Sequence, residues 1–280
     1  MHLKGKTLIC VSYPAGSSGS FVLSLLASSV LNDNVIFKYD NMANCHPYKI
    51  NYMRTYVPEQ FDVVKGNYNL LTKVPIDPIV IYCQNIMPLN QSQNYFASTK
   101  IVAIDFDTEQ DLNWMLTNHF YKAEIDFDRE KQHSLDIWAV YKQLAFNGRV
   151  KTRRADMLNE IPAEDMQIVI AEYTRRYFRN FRAFGPGWKF NWNVLNGHDP
   201  KNIYLLKFRD IMTNPKAVLD KLSELVGPPS RSNITNYINY LEAQIKFITA
   251  KAEWLVPNCD LIRNGLTELY SVQGQFHDQI

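Results

Sequence analysis

The chain has 280 residues and a formal net charge of +2, because 30 Lys and Arg nearly balance 28 Asp and Glu. This balance excludes the uniform basic surface of a protein whose main partner is nucleic acid, so any recognition of anions must be local. A chain of this length buries the core of one large domain, and we expect a single domain over residues 1–280.

Cysteine and apolar patterns bear on the cellular location. The four cysteines are far apart and include no CxxC pair, which favours reduced thiols in a cytoplasmic protein. No cluster of His, Cys, Asp and Glu has the spacing of a metal site, so no metal is expected. No stretch reaches the roughly 18 apolar residues that cross a bilayer, so we expect no membrane partner.

Short apolar segments, bounded by polar or turn residues, predict the strands of a sheet. In chain order they are Thr7–Tyr13, Val35–Tyr39, Ile79–Tyr82, Lys100–Asp105 and Asn202–Phe208. Continuous apolar runs, rather than strict alternation, are typical of parallel strands that are covered on both faces.

Segments with helical periodicity lie between and after these strands. In chain order they are Ser20–Leu31, Thr108–Lys122, Ser134–Phe146, Pro162–Phe184, Pro215–Val226 and Ile234–Trp254, followed by an ordered tail. Strands that alternate with helices indicate βαβ units. The expected fold is therefore α/β, a three-layer parallel sheet flanked by helices, with a helix-rich insertion at about residues 125–201.

The segment SYPAGSSGSF directly follows the first strand and opens the first helix. Small residues let backbone N–H groups converge there, and the helix N-terminus adds a partial positive charge. This context predicts a P-loop-like anion site, although the P-loop glycine and lysine positions hold Pro14 and Ser20. The alternative is a Gly/Ser turn that only allows close packing of the helix on the strand. The predicted ligand-binding residues of the loop are Pro14, Gly16, Ser17, Ser18, Gly19, Ser20 and Phe21.

Three segments resemble the sulfotransferase family, in separate pieces of the chain. Tyr13-Pro14 and Gly19-Ser20 are similar to the family loop YPKSGTT, which holds the 5′-phosphosulfate of 3′-phosphoadenosine 5′-phosphosulfate (PAPS). Downstream, NIYLLKFRDIMTNPKAVLDKLSELVG resembles the late family strand LxYEDL and its following helix, with Phe208-Arg209-Asp210 at the Tyr-Glu-Asp positions. The middle strand, PIVIYCQNIMPL, resembles the segment that ends in a Thr-His-hydrophobic-Pro turn.

The resemblance implies a protein that binds PAPS as a nucleotide sulfate donor and transfers a sulfuryl group to a hydroxyl-bearing sugar or small molecule. The chain departs from the family at several functional positions. Ala15 replaces the loop lysine, and Cys83, Gln84 and Asn85 stand near the usual histidine base. Where the family clamps the 3′-phosphate, this chain has Asp105 and Asp107, which would repel that phosphate unless a cation intervened.

His46 is the predicted general base, because an imidazole with a pKa near neutrality can accept the proton of an attacking hydroxyl. The alternative is a loop histidine that packs or caps locally. Positive charge toward the ligand is expected from Arg209, with Lys207, at the end of the last strand, where open α/β sheets bind ligands. The densest other local sources of positive charge are Arg153-Arg154 and the run Arg175, Arg176, Arg179 and Arg182. A solvated helix face is the default explanation for that run.

Two further functions stay open at this point. The first is a non-catalytic binding or structural protein that keeps the fold, which the missing loop lysine and phosphate clamp favour. The second is a P-loop nucleotide kinase-like enzyme that uses Mg²⁺ with Asp105 or Asp107, although the chain lacks the GK[ST] signature of such enzymes.

Overall fold

A computed structural model describes most of the chain. The described residues are 3–13, 18–31, 71, 76–82, 92–115, 117, 131–155, 160–179, 199–251 and 255–275. The predicted strand Val35–Tyr39 lies outside these residues, and so does part of the loop after the first strand.

Four strands of the described chain form one parallel sheet. They are β1 (Thr7–Ser12), β2 (Ile79–Tyr82), β3 (Ser98–Asp105) and β4 (Ile203–Lys207), in the spatial order β2-β1-β3-β4. Most of β1 and β3 is buried, as the continuous apolar runs predict for a sheet that is covered on both faces. The predicted α/β class with a helix-flanked parallel sheet is confirmed.

The described part of the chain has seven helices with the following bounds around this sheet. They are α1 (Gly19–Val30), α2 (Lys131–Phe146), α3 (Ala163–Arg179), α4 (Phe208–Thr213), α5 (Pro215–Val226), α6 (Arg231–Lys251) and α7 (Val256–Gln275). Residues 109–115 are helical as well. Among the described residues, none of the helices combines the length and apolarity that crossing a bilayer requires.

Two of these helices differ from the sequence-based expectation. The predicted strand Asn202–Phe208 ends at Lys207, and Phe208 begins the short helix α4. Asn214 separates α4 from α5, because Pro215 disfavours helical geometry in the preceding residue. The expected ordered tail is the helix α7. Its buried positions include Cys259, Ile262 and Leu266, which recur at helical spacing.

The strand order creates a switch point between β1 and β3. The chain passes from β1 to β2 on one side, and the next strand, β3, pairs with β1 on the opposite side. In open α/β sheets, ligands bind in the crevice outside the carboxyl ends of the strands at such a point. Tyr13 follows β1 at this edge, and Asp105 ends β3 there.

Gly265 allows α7 to pack closely on the α4–α5 junction. A Cβ atom at this position would lie 2.8 Å from Pro215 Cδ and 3.0 Å from the carbonyl oxygen of Thr213. The second glycine of the same helix, Gly274, has open space around it.

We expect Gly265→Ala to lower the free energy of unfolding by about 1–3 kcal/mol, because overpacking must displace the proline ring and a backbone carbonyl. Gly274→Ala is the matched control and should be neutral or stabilising by up to about 1 kcal/mol, because alanine favours the helix. Urea denaturation of both variants measures the difference. Equal effects of the two substitutions would contradict the close packing at Gly265.

Candidate functional site

The first turn of α1 lies beside the carboxyl end of β1 and opens with Ser18. Ser18 adopts a left-handed backbone conformation, with φ 65° and ψ 11°, and is the N-cap of the helix. Its carbonyl oxygen accepts hydrogen bonds from the N–H groups of Phe21 (3.0 Å) and Val22 (3.1 Å). The N–H groups of Gly19 and Ser20 precede the first intrahelical bonds, which makes them the donors that a helix N-terminus offers to an anion.

Tyr13 covers this turn from the end of β1. Its hydroxyl and Ser20 Oγ form a hydrogen bond of 2.9 Å. Its ring lies so close to Gly19 that a Cβ atom there would come within 1.8 Å of the ring carbon Cγ. Position 19 therefore needs a glycine so that the Tyr13 ring can approach. At this residue, the observation agrees with the alternative that the Gly/Ser turn only allows close packing.

A second tyrosine holds the turn from α6. The Tyr240 hydroxyl donates to Ser18 Oγ at 2.7 Å, and its ring stacks on Phe21 with centroids 3.9 Å apart and planes 6° apart. Because Ser18 accepts this bond, its own hydroxyl proton stays available for a further acceptor. Phe21 itself belongs to the core, with 1% of its surface exposed.

The predicted site residues fall into three groups. Ser18, Gly19, Ser20 and Phe21 lie together in the first turn of α1. Arg209 lies in α4, at the start of the segment after β4. The remaining predictions, Pro14, Gly16, Ser17 and His46, lie outside the described residues.

Lys207 supplies the cation that the acidic end of β3 requires. Its Nζ lies 3.0 Å from Asp105 Oδ2 and 2.7 Å from Asp107 Oδ1. Burial alone would lower the pKa of Lys207, but the hydrogen bonds to Asp107 and Asp105 outweigh it and raise the pKa. The positive charge at the end of β4 thus binds the protein's own carboxylates.

Arg209 is also paired with a carboxylate. Its Nε donates to Asp111 Oδ1 at 2.8 Å, and the Asp111 side chain is 1% exposed. Asp111 and Thr108 exchange backbone-to-side-chain hydrogen bonds of 3.1 and 3.2 Å, a capping-box arrangement at the start of helical residues 109–115. Because β4 ends at Lys207, Arg209 lies in α4 and not at the end of the last strand, where the sequence pattern places it.

Asp210 is a further carboxylate at the edge beyond β3 and β4, near Asp107. Partial burial, followed by repulsion from Asp107, raises the pKa of Asp210 in α4. The sequence could not show that Lys207 forms an ion pair with Asp105, because that pair follows from the register of β3 against β4. Within the described part of the chain, no group of three or more His, Cys, Asp and Glu side chains could hold a metal ion.

Comparisons with known proteins give one structural neighbour to report. No protein-family model matches the chain, and no curated protein matches it. Among solved structures, the chain is similar to a sulfotransferase domain from the curacin biosynthetic pathway. The sequence identity is 11%, the match covers 85% of this chain and 79% of that chain, and the TM-score is 0.34. A likeness of this size carries no conclusion about activity, so the function must be inferred from the site itself.

We expect Lys207→Met to lower the free energy of unfolding by about 1–2 kcal/mol, because it leaves two neighbouring carboxylates without their shared cation. Lys216→Met is the matched control, since the Lys216–Asp220 side chains are 51% and 65% exposed. That exposed helical pair should contribute no more than about 0.5 kcal/mol. Denaturant unfolding at neutral pH compares the two variants, and equal losses would argue against the bridging role of Lys207.

Proposed function

We propose that the β1–α1 turn, residues 13–21, binds the phosphosulfate group of PAPS. The chain is then a sulfotransferase-like protein that acts on a hydroxyl-bearing sugar or small molecule. The observation that carries the proposal is the position of the α1 N-terminus beside the switch point of a parallel sheet. In this proposal, backbone N–H groups and serine hydroxyls hold one anionic group there.

The proposal gives each described residue a defined role. The N–H groups of Gly19 and Ser20 would bind oxygens of the anion, and the hydroxyl proton of Ser18 would add a donor. Arg209 uses Nε for Asp111 but retains its other guanidinium N–H groups for an anion, and its side chain is 34% exposed. Residues Pro14, Gly16 and Ser17 complete the loop in this proposal.

The proposed chemistry is the transfer of one sulfuryl group. The hydroxyl oxygen of the acceptor attacks sulfur, the bond from sulfur to the nucleotide phosphate oxygen breaks, and the hydroxyl proton passes to His46. Stabilisation would be mostly electrostatic, because negative charge develops on the leaving oxygen. Ala15 stands where the family has its lysine, so helix N–H groups and Arg209 would have to supply that stabilisation.

A second candidate is a non-catalytic binding or structural protein with the same fold. The specific observation in its favour is that the first turn of α1, Lys207 and Arg209 already contact other side chains of the protein. Tyr13 covers Gly19, and Lys207 and Arg209 each pair with aspartates.

Calorimetric titration can separate the candidates. The ligands are 3′-phosphoadenosine 5′-phosphate and, separately, ATP with Mg²⁺. Selective binding of the bisphosphate supports the proposal, and an absence of binding of both ligands supports the non-catalytic protein. A preference for ATP with Mg²⁺ would instead support the kinase-like function and contradict the proposed donor.

Two substitutions at Ser20 test whether the loop is the binding site. Ser20→Asp should abolish binding of the bisphosphate, because it places a negative charge at the helix N-terminus beside the bound anion. Ser20→Ala removes the same hydrogen bond to Tyr13 but keeps the backbone N–H, so we expect only a roughly tenfold loss of affinity. Calorimetry measures both variants, and unchanged affinity of Ser20→Asp would remove this loop from the site.

His46→Ala tests the transfer step. We expect the rate of sulfuryl transfer to fall about 10²–10⁴-fold, because the acceptor hydroxyl loses its base, while the affinity for the bisphosphate stays the same. The rate is measured as release of 3′-phosphoadenosine 5′-phosphate from PAPS in the presence of a hydroxyl acceptor. His119→Ala is the control, since His119 has no role in the proposal. Transfer retained across neutral pH in His46→Ala would exclude this residue as the base.

A further inference from the structure

A cationic and aromatic cleft lies between the end of α2 and the segment that follows it. Its volume is about 750 Å³, which falls in the range of small-molecule sites in proteins. Its chemically distinctive lining residues are Trp138, Lys142, Phe146, Arg153, Arg154 and Glu160. The proposed sulfate-donor site uses none of these residues.

The cleft exists because α2 ends in a sharp reversal. Gly148 adopts φ +64°, its N–H donates to the carbonyl of Ala145, and the N–H of Arg149 donates to the carbonyl of Leu144. These two bonds form a Schellman motif, which ends a helix with a residue in the left-handed conformation. The chain therefore returns along the last turns of α2.

A buried carboxylate fixes the returning segment that carries the two arginines. Asp165, 1% exposed in the first turn of α3, accepts hydrogen bonds from the backbone N–H groups of Lys151 (2.8 Å) and Thr152 (2.7 Å). Tyr141 also donates its hydroxyl to the carbonyl of Thr152 at 3.1 Å. Burial alone would raise the pKa of Asp165, but these backbone hydrogen bonds outweigh it and lower the pKa. Arg153 and Arg154 thus extend from an ordered backbone.

The charges of the cleft favour an anion. Three cations, Lys142, Arg153 and Arg154, line it together with the carboxylate of Glu160. Arg153 and Arg154 are exposed, and the described part of the chain shows no ion pair for either of them. Guanidinium groups present their N–H donors in a planar fork that matches carboxylate, phosphate and sulfate oxygens.

The aromatic residues favour a planar ring on the same ligand. Phe146 is 91% exposed, which is unusual for a large apolar side chain, and it lies at the edge of the cleft. Trp138 is half-buried, with Lys142 Nζ 5.4 Å from its ring centroid. Aromatic faces bind planar rings by stacking and cations by their quadrupole.

We propose that this cleft binds a small anion that carries a planar ring, such as an aromatic phosphate, sulfate or carboxylate. Arg153 and Arg154 bind the anionic group, and Phe146 with Trp138 contacts the ring. The proposal does not depend on the function proposed for the β1–α1 turn.

The test is a titration of the full chain with phenyl phosphate, followed by calorimetry or ligand-observed NMR. We expect phenyl phosphate to bind more tightly than inorganic phosphate, which lacks the ring, and than phenol, which lacks the charge. The double variant Arg153→Gln/Arg154→Gln should lose at least about tenfold in affinity, and Phe146→Ala about fivefold. Arg149→Gln is the matched control, because Arg149 is exposed in the same segment and does not line the cleft.

The proposal would be overturned by an absence of phenyl phosphate binding, by equal affinity of the double variant and Arg149→Gln, or by equal affinity for phenyl phosphate and inorganic phosphate. Ser20→Asp separates this cleft from the sulfate-donor site, since it should leave phenyl phosphate binding unchanged. Loss of phenyl phosphate binding in Ser20→Asp alone would place the ligand at the β1–α1 turn and contradict the cleft.

Discussion

The contact between the Tyr13 ring and Gly19 is the constraint on which the first turn of α1, beside the end of β1, depends. A side chain of any size at position 19 would displace the ring, and the ring in turn places its hydroxyl on Ser20. Tyr240 adds the second support by bonding Ser18 and stacking on Phe21. The strand β1 and the helices α1 and α6 therefore meet at one ordered turn. A ligand at this turn would find donors that are already in place, which lowers the entropic cost of binding.

Charge at the same edge is governed by the parallel pairing of β3 and β4. Because Asp105 stands opposite Lys207 in the register, the cation at the end of one strand neutralises the acid at the end of its neighbour. Arg209 and Asp111 repeat this arrangement one element further along. An anion at the sheet edge must therefore rely on backbone dipoles and on guanidinium donors that Asp111 leaves unused. A ligand with two widely spaced phosphates would have to compete with these internal pairs.

Much of the fold follows from local sequence signals. The strand Ile79–Tyr82 and the helix Pro215–Val226 match their predicted bounds, because apolar runs and a proline at the helix start are local signals. The sequence pattern predicts an ordered tail after Trp254, and the structure shows that this tail is the helix α7. α7 contains two glycines and a proline near its start, which lower the intrinsic helix propensity, whereas Gly265 allows the close approach of α7 to Pro215. Backbone contact between distant helices has no local signature.

Less of the candidate site than of the fold can be predicted from the sequence, because the contacts that form the site join residues far apart in the chain. The loop composition indicated an anion site, but nothing in it showed that Tyr240 bonds Ser18, which depends on how α6 packs on α1. The sequence likewise showed Lys207 and Asp105 as separate charges. Their pairing requires the strand order, which propensities do not determine.

The two candidate anion sites differ in how their carboxylates are used. At the sheet edge, Asp105 and Asp111 bind side-chain cations and so reduce the positive potential available to a ligand. Glu160 lines the cleft beside α2 together with three cations, and the buried carboxylate of Asp165 binds backbone N–H groups, so Asp165 orders the segment without neutralising Arg153 or Arg154. The exposed positive charge of the described chain is thus more available in the cleft than at the sheet edge. Electrostatic attraction of an anion should be stronger at the cleft, whereas binding at the β1–α1 turn must come from oriented N–H groups.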